Sequence, residues 1–149
     1  MTGVHKERLL KLSTFLREKV PDEHFDLRFI VGQRLEDNDV GYGKEAFAAL
    51  PLVASGTQRG CGAVACAIGW CPAAFPDNWI WEDSDRHSVR LLDAQEGGDD
   101  DDFSYAEEFF GLDESESRLL FMPSSYPGYG ESATRHDVAQ RIEGFVASK

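Results

Sequence analysis

Three cysteines share one short stretch, "QRGCGAVACAIGWC", at Cys61, Cys66 and Cys71. Residues of this type serve as nucleophiles, as metal ligands or as small core side chains, and their spacing separates the three uses. On a helix a five-residue step turns the side chain by about 500°, so successive thiols point about 140° apart and do not converge on one ion. Structural zinc takes closely spaced Cys pairs in twos. No second pair exists here, and His5, His24, His87 and His136 are scattered along the chain. No metal and no cofactor is therefore expected. Cys66 and Cys71 read as small hydrophobes. Cys61 differs, because it follows Gly60 at the expected start of a buried helix, where unpaired backbone N–H groups favour a thiolate.

The second chemical signal is charge. The sequence carries 27 acidic residues against 15 basic ones, a net charge of −12. Such a surface repels nucleic acid and anionic membrane and suits a basic protein partner. The acidic residues concentrate in "GGDDDDFSYAEEFFGLDESES": Asp99, Asp100, Asp101, Asp102, Glu107, Glu108, Asp113, Glu114 and Glu116. Consecutive aspartates send their side chains in divergent directions and do not reproduce the alternating ligands of a calcium loop. The helix–Gly–helix outline over residues 103–120 is the shape of a DNA-reading hairpin, but its second helix opens on Asp113, Glu114 and Glu116, the wrong sign for phosphate. Downstream, "SSYPGYG" offers Tyr126 and Tyr129, which either face a partner or fold back on the core.

These residues need elements to hold them. Leu9, Leu12, Leu16 and Val20 recur at helical spacing, and Pro21 ends that helix. "DEHFDLRFIVG" is a turn and an apolar run, "QRLEDNDVGYGKE" a polar loop, and "EAFAALPL" a short helix stopping before Pro51. Cys61 to Cys71 is expected as a buried helix, with Gly62 and Gly69 admitting a neighbouring element closely. "NWIWED" and "HSVRLL" form a small hairpin about "DSDR". Gly111 stops a helix at "FSYAEEFFGL". Asp113 with Glu116 makes a capping box for the next helix, and Thr134 opens the last one, with Asp137 in its first turn. At 149 residues and 42% hydrophobic content, the chain is expected to be one α+β domain, helix-dominated, with one small β-hairpin and a core needing no staples. With no apolar run of spanning length and no apolar leader among the first twenty residues, a cytoplasmic location is expected, which the odd number of cysteines suits.

Two resemblances extend this reading. Gln58-x-x-Cys61-Gly62 resembles the opening of the central helix in papain-like cysteine peptidases. That resemblance implies a nucleophilic Cys61, an oxyanion donor in Gln58, a base in His87 and an orienting Asp93. Separately, "CGAVACAIGW", "FFGL", "LLF.P..Y" and "VA.RI..FV" resemble a group of small bacterial and phage or prophage proteins to which no activity attaches. The preferred expectation is a non-catalytic acidic interaction protein of bacterial or phage origin, binding a basic protein partner as an inhibitor that imitates nucleic acid. It would bind neither nucleic acid directly nor membrane. The thiol hydrolase stands as the alternative.

Overall fold

In the computed structural model, residues 1–34, 40–41, 44–58, 61–84, 87–94 and 100–149 are described. The helix at the N-terminus, α1 (Gly3–Glu18), buries Leu9, Leu12 and Leu16 on one face, as their spacing requires. It lies along α6 (Arg135–Ala147), which turns Val138, Ala139 and Ile142 inward. A guanidinium clamps the pair. Arg135 donates to the carbonyls of Leu16 and Arg17 at the end of α1, and its Nε donates to Asp22 at 2.6 Å. Thr134 and Asp137 form a reciprocal capping box at the start of α6.

Two small sheets share the rest of the core. The first has strand order β2-β1-β3, with β1 (Val31–Arg34) antiparallel both to β2 (Val40–Gly41) and to β3 (Ala63–Ala65). The second is the expected hairpin of β4 (Trp79–Trp81) and β5 (Val89–Leu91). The helix α2 (Glu45–Ala54) covers the first sheet with Ala46, Ala49, Leu50 and Val53. The single-turn α3 (Cys71–Ala74) leads into β4. A helical hairpin follows, α4 (Asp102–Phe110) and α5 (Glu114–Phe121), joined through Gly111 at φ 66°. Phe75, Trp79, Phe109, Phe110 and Phe121 pack there, several edge-to-face, which is the arrangement the ring quadrupole favours. No helix among the described residues is long and apolar enough to cross a membrane. The architecture is helix-dominated α+β.

Three expectations are corrected. Cys61 to Cys71 is not a helix: Ala63, Val64 and Ala65 form β3, Cys66 to Trp70 form a turn, and only Cys71 enters a helical turn. All three β3 residues are fully buried, and a strand enclosed on both faces reads as an unbroken apolar run with no alternation to betray it. Part of the expected polar loop is strand, with Gln33 paired to Gly41 and Arg34 to Val40. The second helix also runs through Pro51 to Ala54 instead of stopping before it. Its buried residues at 46, 49, 50 and 53 keep one apolar stripe against the sheet across the proline. The glycine expectation holds. A Cβ added at Gly69 would lie 1.7 Å from the Ile30 carbonyl oxygen, and one at Gly62 2.6 Å from Gln33 Nε2.

Candidate partner-binding surface

The proposed thiol site separates into three places. Cys61, half-buried, sits in the bend before β3, and its carbonyl accepts from Gln33 Nε2 at 2.6 Å. Gln58 and Cys61 do share a cleft, of about 610 Å³, against Glu45, Ala48 and Leu52 of α2. His87 is not among the residues lining it. That ring is buried just before β5, 5.5 Å from the ring of Tyr105. Asp93 lies past the other end of β5, in a different cleft. Cys61 precedes a strand and not a helix, and the cleft it shares with Gln58 is lined by neither His87 nor Asp93. Burial pushes the Cys66 thiol up to about 12 and that of Cys71 well above its ordinary range. Both are packing groups. Among the described residues, no three His, Cys, Asp or Glu side chains gather as metal ligands would.

The acidic residues behave differently, because one helical hairpin carries nearly all of them. Asp99 lies outside the described residues. Asp100 and Asp101 are exposed at the approach to α4, where Asp101 caps the helix by accepting from Ser104 N at 2.8 Å. Glu108 is exposed on α4 and Glu107 half-buried. Asp113 and Glu116 form the expected capping box, and Glu116 also holds Lys149 Nζ at 2.9 Å. Those two contacts, the Asp113 N–H first and Lys149 next, lower the Glu116 carboxyl below its usual range. Glu114 is exposed and paired with Arg118 one turn on.

Asp102 departs from the expected partner-facing set. Its Oδ1 accepts from Ser88 N at 3.2 Å and Val89 N at 3.1 Å, tying the start of α4 to β5. Burial is the largest influence on this carboxyl and pushes it up to about 6, against the two N–H groups that favour its charge. The tyrosines divide. Tyr126 is buried, donates its hydroxyl to the Leu120 carbonyl at 2.7 Å and lies under the Arg141 guanidinium. Tyr129 is 75% exposed on a left-handed turn between Gly128 and Gly130. Of the two, only Tyr129 is presented to solvent.

A cleft opens on each side of α4. One, about 340 Å³, lies between α4 and α5 and is edged by Asp101, Glu107 and Glu114, with Arg118 beside them. The other, about 330 Å³, lies against the hairpin and is edged by Asp77, Asp93 and Glu108, with Arg8 at its wall. The Arg8 guanidinium is occupied there, 4.1 Å over the Phe109 ring and donating to the Phe109 carbonyl at 2.8 Å. In the first cleft Glu107 is pushed up, by desolvation first and then by Glu114 and Asp101. Carboxylate crowding at that point exceeds what Arg118 offsets.

The sequence reading missed Asp77 and Asp93 as a pair at this surface, although the signal was present. Trp79 pairs with Leu91 in the hairpin, and extending that register by two residues sets Asp77 opposite Asp93. Ser117 gave no signal, since a lone serine within an amphipathic helix ordinarily faces water. Comparison of the chain with protein-family models, with curated proteins and with solved structures found no match.

Proposed function

We propose that this protein is a non-catalytic interaction protein whose acidic face, centred on α4 and α5, engages the basic surface of a protein partner in the cytoplasm. It would occupy the place of nucleic acid on that partner and so inhibit it. The resemblance to small bacterial and phage proteins suits an origin in which such a partner is a host nucleic-acid-binding protein. The observation that carries the reading is the pair of carboxylate-edged clefts flanking α4: Asp101, Glu107 and Glu114 on one side, Asp77, Asp93 and Glu108 on the other. Six carboxylates at the two edges of one short helix make a field that speeds encounter with a positive surface and discriminates against negative ones.

The test is affinity capture from a bacterial lysate, with the wild-type chain and a Glu107→Lys, Glu108→Lys, Glu114→Lys variant as baits. The expected result is a basic nucleic-acid-binding protein held by the wild type alone, released by rising salt and displaced by added duplex DNA. Capture that withstands salt and is equal for the variant contradicts the acidic-face reading. Salt-sensitive capture that DNA does not displace contradicts the imitation of nucleic acid.

A further inference from the structure

The two clefts beside α4 differ in one group. Ser117, on α5, is 1% exposed and lines the cleft between α4 and α5, and its Oγ has no hydrogen-bond partner among the described residues. A serine inside a helix commonly returns its hydroxyl to a carbonyl of the preceding turn, and buried polar groups are normally paired. Here the hydroxyl is unspent, beside the carboxylates of Asp101, Glu107 and Glu114. Phe103 and Met122 supply apolar wall in the same cleft. Arg118 is already engaged with Glu114, so it does not satisfy the remaining acceptors.

We propose that this cleft is the seat of one arginine side chain from the basic partner. Its guanidinium would lie on the Glu107 and Asp101 carboxylates, donate one N–H to Ser117 Oγ and set its plane against Phe103. Arginine fits better than lysine, because its planar fork presents several donors at once and stacks on an aromatic face, whereas an ammonium is a strongly hydrated point charge. At about 340 Å³ the cleft admits a single long side chain and not a secondary-structure element. The Glu107 carboxyl is pushed up by desolvation first and then by Glu114 and Asp101, which Arg118 only partly offsets. This inference rests on the acidic-face reading and names the residue type that face receives.

The test is an amide chemical-shift titration of the full chain with the tripeptide acetyl-Ala-Arg-Ala-amide, with its citrulline analogue as an uncharged control of the same shape. Saturable shifts are expected at Phe103, Glu107 and Ser117, and none with citrulline. Binding should weaken about fivefold in Ser117→Ala and about tenfold or more in Glu107→Gln, as loss of a neutral and of a charged acceptor implies. Ser117→Ala removes only an unpaired hydroxyl, so the variant is expected to fold and melt no lower than the wild type. Shifts as large at Asp77, Asp93 and Glu108 as in this cleft, or binding undiminished in both variants, would overturn the arginine seat. That result leaves the acidic-face reading standing, since the latter fails only on the salt and charge-reversal outcome of the capture experiment.

Discussion

Single atoms account for much of what this chain does, and Asp102 is the clearest case. Its folded carboxyl, pushed up to about 6, lies above the ordinary unfolded value near 3.9. The fold therefore holds the proton more tightly than the unfolded chain does. The resulting stabilisation is present in full below the unfolded value and is lost as pH rises through about 6. At neutral pH the buried charge weakens the fold. Asp102→Asn keeps an oxygen for the Ser88 and Val89 N–H groups and removes the charge, so it is expected to raise stability at pH 7 by up to roughly 3 kcal/mol. That advantage should shrink in thermal melts taken near pH 5, and an advantage independent of pH would contradict the assignment. Glycines give a second residue-scale contrast. Gly69→Ala drives a methyl onto the Ile30 carbonyl oxygen and is expected to cost on the order of 3 kcal/mol in urea unfolding. Gly144→Ala, where nothing lies within 4 Å of an added Cβ, is expected to gain roughly 0.5–1 kcal/mol through helix propensity.

At the scale of elements, what could be read in the sequence depended on whether a local rule had a single solution. The α4–α5 hairpin did. Asp113 with Glu116 is a capping box, and Gly111 supplies the left-handed stop. The acidic residues at its edges could therefore be placed from sequence. The stretch from Cys61 to Cys71 had no single solution, because small apolar residues without periodicity suit a buried helix and a buried strand equally. Its tertiary partner, β1, decided the matter, with Val31, Gly32 and Gln33 pairing to Ala65, Val64 and Ala63. The same error carried Cys61 to a helix start that does not exist and made the peptidase resemblance look closer than the geometry allows. The clamp between α1 and α6 was also hidden, since nothing local marks Arg135 as the side chain that caps a helix over a hundred residues earlier. Arg135→Ala is expected to cost about 1–2 kcal/mol in chemical denaturation, by stranding the Leu16 and Arg17 carbonyls. A loss near zero would show that water replaces the guanidinium freely there.

Over the whole molecule, core and surface divide the labour. Cys66, Cys71, Trp70, Trp79 and Phe110 are interior scaffold, and Phe75 and Trp79 pack on Phe109 and Phe110 of α4, whose Glu107 and Glu108 line two separate clefts. Several members of the acidic set also serve the fold: Asp101 and Asp113 cap helices, Asp102 ties α4 to β5, and Glu116 holds Lys149. On the proposed reading, the carboxylates that would meet a partner are chiefly Glu107, Glu108 and Glu114, with Asp101 beside Glu107 in the first cleft and Asp77 and Asp93 across the second. The central claim is that these few groups carry the recognition. Titration calorimetry of the captured partner, from about 50 to about 400 mM salt, tests it most directly. Affinity should fall steeply with salt for the wild type, and the fall should flatten in a Glu107→Gln, Glu108→Gln, Glu114→Gln variant. An affinity that ignores salt and is the same in both proteins would contradict the account.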